Sequence, residues 1–186
     1  MILSIAFVIA LTFPVAVAST AFSLNNKEQY TTYDLQFGRK LVYAIVIALG
    51  QGVMYRLGNL LGDTFMHTMA SFSKWVVFAL CFSIAYRMLI DTLKIKNGTN
   101  LFMIEKNLHL ILLSVALGVN PFIAGLLFDF MPLFQNLTPF IIMAAAFVWS
   151  VVFILIPFSK IKLTLNSFLN VIMAGTIAAI GMLGLV

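Results

Sequence analysis

Apolar residues run along this chain in long blocks, not in short clusters or in strict alternation. A helix that crosses a bilayer needs about 20 mostly apolar residues. Six blocks of that length are present, near 2–24, 39–61, 72–93, 107–128, 137–158 and 163–186. The connections between them are short and leave no room for an extramembrane domain. The short alternating segments of a membrane β-barrel are absent. The expected fold class is therefore all-α, a polytopic membrane protein with six transmembrane helices, and residues 1–186 form a single transmembrane domain.

Composition agrees with this pattern. Hydrophobic residues make up 62% of the 186 and charged residues only 9%, whereas a soluble domain carries about a quarter charged residues. Too few charges remain to coat a water-facing surface. That excludes a soluble globular enzyme, a disordered chain and a disulfide-stapled scaffold. The single cysteine, Cys81, cannot form an internal bridge. Ala16-Val17-Ala18 has the form of a signal-peptidase site, but residues 1–13 contain no Lys or Arg. A signal peptide begins with positive charge, so a retained first helix is expected.

Charge then orients the helices. Nine of the eleven basic residues flank odd-numbered loops: Lys27, Arg39 and Lys40; Arg87, Lys94, Lys96 and Lys106; Lys160 and Lys162. Only Arg56 and Lys74 lie near an even-numbered loop. The positive-inside rule places the odd loops in the cytoplasm and both termini on the outer face of a bacterial inner membrane. The net charge of +5 is a topology signal. With no basic surface outside the bilayer, nucleic acid is not an expected partner; the bilayer and a transported ion or small solute are. Asn97-Gly98-Thr99 falls in a cytoplasmic loop on this topology, so its glycosylation pattern is read as chance.

Three helices followed by three give two halves of opposite orientation, a common transporter plan. Repeat one covers about 1–93, repeat two about 107–186, and a cytoplasmic linker about 94–106. Val15-Ala16-Val17-Ala18-Ser19-Thr20-Ala21-Phe22 aligns with Val115-Ala116-Leu117-Gly118-Val119-Asn120-Pro121-Phe122, with three identities. Each segment lies in the first helix of its half, with Pro14 or Pro121 within or beside it. A proline there frees backbone carbonyls at membrane depth.

Polar side chains inside spans are costly, and they face a partner helix or a cavity. The deepest are Thr20, Gln51, Asn59, Asn120, Ser150 and Asn170. Two readings stand: a shared polar path between the halves, or interhelical hydrogen bonds worth about 1 kcal/mol each. Arg56 either snorkels to the outer surface, the simpler reading, or lines an outward vestibule. Arg87 and Asp91 are four apart and can pair as an interfacial anchor. His67 and His109 fall at opposite sides, and no Cys, His, Asp and Glu cluster has metal-ligand spacing. Without a nucleophile elbow, an HExxH run or a paired acidic dyad, no enzyme is expected. No cofactor is expected.

Several motifs together resemble the bacterial manganese-efflux pump family of the MntP type, in the LysE-like transporter group. In helix two, Gln51-Gly52-Val53-Met54-Tyr55-Arg56-Leu57-Gly58-Asn59-Leu60-Leu61-Gly62 resembles its acid-or-Gln segment ending in G-x-x-x-G. In helix three, Lys74-Trp75-Val76-Val77-Phe78 followed by Tyr86-Arg87-Met88-Leu89-Ile90-Asp91 resembles W-x-x-F and G-x-R-M-x-x-E at the same spacing. This is the most specific part. In helix four, Val119-Asn120-Pro121-Phe122-Ile123-Ala124-Gly125 resembles D-A-x-A-V-G. In helix one, Thr20-Ala21-Phe22-Ser23 resembles D-A-F-x-x-S, in poorer register; Ala18 is the other position for that aspartate.

The resemblance implies six helices in two inverted halves and export of Mn²⁺ as substrate. It also exposes departures. The two signature aspartates fall on Thr20 and Asn120, and an often acidic position is Gln51. Manganese favours hard oxygen ligands such as carboxylate and water. Amide and hydroxyl oxygens, helped by carbonyls near Pro14 and Pro121, hold a divalent cation more weakly. The sequence thus points to a MntP-like transporter of manganese or another divalent cation with a degenerate metal site. Thr20, Gln51 and Asn120 line its path, and Arg56, Ser150 and Asn170 are accessory. The alternatives are an exporter of another solute, such as an amino acid or a monovalent ion, and a non-transporting membrane interaction protein.

Overall fold

The computed structural model describes residues 2–26, 33–96, 107–127, 130, 138–155 and 160–185. It contains α1 (Ile2–Asn26), α2 (Tyr33–Met69), α3 (Ser73–Lys96), α4 (Asn107–Leu126), α5 (Pro139–Leu155) and α6 (Lys160–Leu183). A short 3₁₀ turn, Ala70–Phe72, joins α2 to α3. No strand occurs among the described residues. The apolar stretches Ile2–Thr20, Phe37–Thr64, Ser73–Leu93, Leu108–Leu126 and Leu165–Leu183 are each long enough to cross a bilayer. The protein is a multi-pass membrane protein.

Two elements differ from the sequence expectation. α2 runs over 37 residues, well past the expected 39–61. Its extensions carry Asp34, Gln36, Asp63 and His67, which lower hydropathy without breaking a helix that is already nucleated. α5 is shorter than expected. Its apolar part, Pro139–Ile154, has fewer than 18 residues, and at 1.5 Å per residue it spans about 24 Å. That is less than the roughly 30 Å of a hydrocarbon core. The start of α5 is fixed chemically. Pro139 occupies the first helical position, where a missing N–H costs nothing. Thr138 caps the helix: its carbonyl accepts from the Ile141 and Ile142 amides and its Oγ1 from Ile141 N–H at 3.4 Å.

α1 is the central helix. Residues 10–20 are all buried, as an all-round apolar helix requires. Both prolines sit inside continuous helices, Pro14 in α1 and Pro121 in α4. Each lacks the N–H that would reach the carbonyl four residues back, at Ala10 and Leu117.

α2 and α4 pack most extensively, followed by α3 with α6, α2 with α5, α1 with α5 and α1 with α6; α3 and α4 touch only lightly. Exchanging α1, α2 and α3 for α4, α5 and α6 maps α2–α4 onto α1–α5 and leaves α3–α6 and α2–α5 in place, whereas the α1–α6 contact maps onto the much lighter α3–α4 contact. α2 and α4 approach backbone to backbone. A Cβ on Gly58 would collide with the Phe122 carbonyl, and one on Gly125 with the Tyr55 carbonyl. Close approach through small residues is how membrane helices gain packing without a hydrophobic driving force. Phe7, Tyr55, Ile84, Ala124, Ile142 and Ile177 form a core to which all six helices contribute. Val53, Leu57, Trp75, Phe82 and Ile111 are exposed, as lipid-facing residues are.

Candidate functional site: buried polar junctions of the bundle

Among the described residues thirteen polar side chains are buried, and no Asp or Glu is among them. Some of them form junctions that tie helices together through hydrogen bonds, and others are left without a partner.

The first joins α1 to α6. Thr20 is fully buried and its hydroxyl donates to the Ala16 carbonyl at 2.8 Å. The same oxygen accepts from Asn166 Nδ2 at 2.9 Å. One turn further along α6, Asn170 Nδ2 donates to the Met88 carbonyl at 3.2 Å and to Thr92 Oγ1 at 3.0 Å, both on α3. Asn170 Oδ1 is buried without a partner.

The second junction joins α3 to α4. Asn120 Oδ1 accepts from Arg87 Nη1 at 3.2 Å, and Arg87 Nη2 donates to the Ala116 carbonyl. Arg87 also faces Asp91, but Nε lies 4.0 Å from Oδ2, a long contact with Asp91 41% exposed. The expected Arg87–Asp91 pair is therefore the weaker part of what Arg87 does. Exchanging the helix halves turns this α4–α3 junction into the α1–α6 junction. Thr20 and Asn120, paired by the internal alignment, each accept a hydrogen bond from a side chain on the last helix of a half.

Gln51 stands apart. It is 1% exposed at the middle of α2, and neither Oε1 nor Nε2 has a partner. Leaving a buried donor or acceptor unpaired costs about 1–3 kcal/mol. Its neighbours one turn away on the same face, Ile47 and Tyr55, belong to two different core clusters. The amide therefore interrupts the apolar core from within. Ser150, fully buried on α5, likewise has an unpartnered hydroxyl. It lies between Ala146 and Ile154, which pack with Tyr43, Ile47 and Val15.

Arg56 is on the exposed side of α2. It reaches Asn59 Oδ1 of its own helix at 3.4 Å. α2 continues for more than three turns beyond it, so it lies further from the helix end than the span 39–61 implied. His109 is exposed in the first turn of α4; the side chain of His67 lies outside the described residues. Among the described residues no group of three His, Cys, Asp or Glu is placed to hold a metal ion.

Asn166 and Thr92 are site residues that the sequence does not single out, and Arg87 is one that the sequence reads as an interfacial anchor. Asn166 had a signal: it is four residues before Asn170, hence on the same helix face. Arg87 had one too, because helical side chains tilt toward the N-terminus of their helix. That tilt carries its guanidinium deeper into the span and away from the nearer helix end.

A family model described as "Putative manganese efflux pump" matches residues 34–185. A protein of Rippkaea orientalis named "Putative manganese efflux pump MntP" is 27% identical over 112 residues, 60% of this chain and 60% of that protein. One of the same name from Crocosphaera subtropica is 24% identical over 109 residues, 59% of this chain and 58% of that protein. The matched region therefore spans about three-fifths of the length of each relative. No solved structure matches the chain. The family match runs from the first turn of α2 to the end of α6 and so takes in Gln51, Arg87 and Asn120, while Thr20 lies before it; on that match the chain belongs to the Mntp family.

Proposed function

We propose that the protein is an efflux transporter of the bacterial inner membrane whose cargo passes between two inverted three-helix repeats, along Thr20, Gln51 and Asn120. The observation that carries this reading is Gln51, a centrally buried amide with both polar atoms unpartnered in a bundle that belongs to an efflux family. A side chain that served only to join helices would be paired. The repeat reading draws support from the neighbour pattern, most of which survives exchange of the halves, and from the matching Thr20–Asn166 and Asn120–Arg87 junctions. Ser150 and Asn170 are accessory, each with an unpartnered oxygen. The termini face outward and the odd loops face the cytoplasm, following the basic residues.

Manganese is the cargo that the names of the relatives suggest. Expression in a manganese-sensitive bacterial strain tests it. Rescue with lowered cellular manganese supports the reading; no rescue and no change in manganese, with membrane insertion verified, removes this cargo.

One observation favours a second cargo class. The position where the family has an aspartate is Asn120, and a guanidinium donates to it. A positive charge beside a neutral amide disfavours a bare divalent cation. Another solute, alone or together with a metal ion, suits that junction better.

A further inference from the structure

Arg87 lies six residues from Leu93, the nearer end of its apolar stretch, which places its Cα about 9 Å inside at 1.5 Å per residue. A snorkelling arginine there would lean toward that end. Arg87 leans the other way and ends on Asn120 and the Ala116 carbonyl, inside the apolar stretch Leu108–Leu126. A charge held at that depth needs compensation. The partners it reaches closely are both neutral, and its one carboxylate, Asp91, stands 4.0 Å off and 41% exposed.

The remaining groups at this place are donors. The guanidinium fork has further N–H groups beyond those directed at Asn120, Ala116 and Asp91. Asn120 spends its oxygen on Arg87 and keeps its Nδ2 amide. α3 and α4 touch only lightly, and the Arg87 side chain is 28% exposed. Donors, a positive charge and a partly exposed guanidinium together define a receptor for negative oxygen.

We propose that the α3–α4 junction binds an oxyanion, a carboxylate or phosphate group, on Arg87 and Asn120 Nδ2. Arg offers a planar fork that meets such groups through paired hydrogen bonds. This deepens the reading of Asn120 as part of the path and rests on it. An anion seated there also supplies the negative charge that Thr20, Gln51 and Asn120 lack, so that a divalent cation can travel with it as a complex. The oxyanion comes either from a soluble cargo or from a lipid headgroup.

The test uses the full chain in phosphatidylcholine nanodiscs, titrated by calorimetry with citrate and separately with inorganic phosphate, with manganese left out. The expected result is saturable binding that Arg87→Gln weakens at least about tenfold, while Lys40→Gln leaves it unchanged. Asn120→Asp, which keeps the side-chain volume, should abolish binding too, because its own carboxylate then occupies the fork. If instead phosphatidylglycerol is retained by the wild type and released by Arg87→Gln and Asn120→Asp, the site stands and its source is a headgroup. Citrate, phosphate and phosphatidylglycerol all failing to distinguish wild type from Asn120→Asp overturns the proposal. The assay contains no manganese, so its failure leaves the efflux reading standing, and a negative manganese assay leaves this site standing.

Discussion

Arg87 of α3 donates to Asn120 of α4 across 3.2 Å, at the lightly packed crossing of these two helices. The equivalent place in the other half is held by Asn166 of α6 donating to Thr20 of α1 at 2.9 Å. One junction carries a formal charge and the other does not. The charge makes the α3–α4 junction the more responsive of the two to substitution.

Asn120→Asp converts a neutral acceptor into a charged one beside the guanidinium. The charge-assisted bond is expected to stabilise the bundle by about 1–2 kcal/mol. Thermal unfolding in detergent should show a higher Tm. An unchanged Tm would mean that Arg87 does not lie against residue 120.

Gln51→Leu separates stability from function. It replaces an unpartnered amide with an apolar side chain of similar size, which is expected to stabilise the protein by about 1–3 kcal/mol. If Gln51 lines the path, export falls while Tm rises, the trade-off expected of a functional site. A loss of both stability and export would show instead that the amide serves the packing.

Gly125→Ala tests the close approach of α2 and α4. The added Cβ meets the Tyr55 carbonyl and stands 2.8 Å from the Asn59 amide nitrogen. Overpacking against backbone is expected to cost about 1–3 kcal/mol. Gly175→Ala on α6 meets nothing within 4 Å and should be neutral or gain about 0.5–1 kcal/mol. Comparing the two unfolding midpoints checks the helix pairing directly.

Topology is open to labelling. Cys81 is buried, so the native chain offers little background to a membrane-impermeant maleimide. Asn97→Cys should react only after the cytoplasmic side is opened, and Gln135→Cys in intact spheroplasts. The reverse result would invert the orientation.

Most of the fold is legible in the hydropathy pattern because five spans are long, apolar and separated by polar residues. The ends of α2 are not, since Asp63 and His67 mark the end of a membrane span but not the end of a helix. The burial of Thr20, Gln51, Asn120, Ser150 and Asn170 follows from the expense of lipid-exposed polar groups. Their pairing does not follow. Hydropathy treats Arg87 as a charge near a helix end, and only the direction of its side chain carries it to Asn120. Asn166 was passed over because it lies only a few residues into the expected span 163–186, where an amide looks like part of the boundary.

Manganese flux into proteoliposomes, with wild type and Gln51→Leu reconstituted at equal density, tests the central claim most directly. The account predicts saturable flux for the wild type and flux near that of empty liposomes for Gln51→Leu. Wild-type flux no greater than that of empty liposomes, or equal flux from the two proteins, would contradict it.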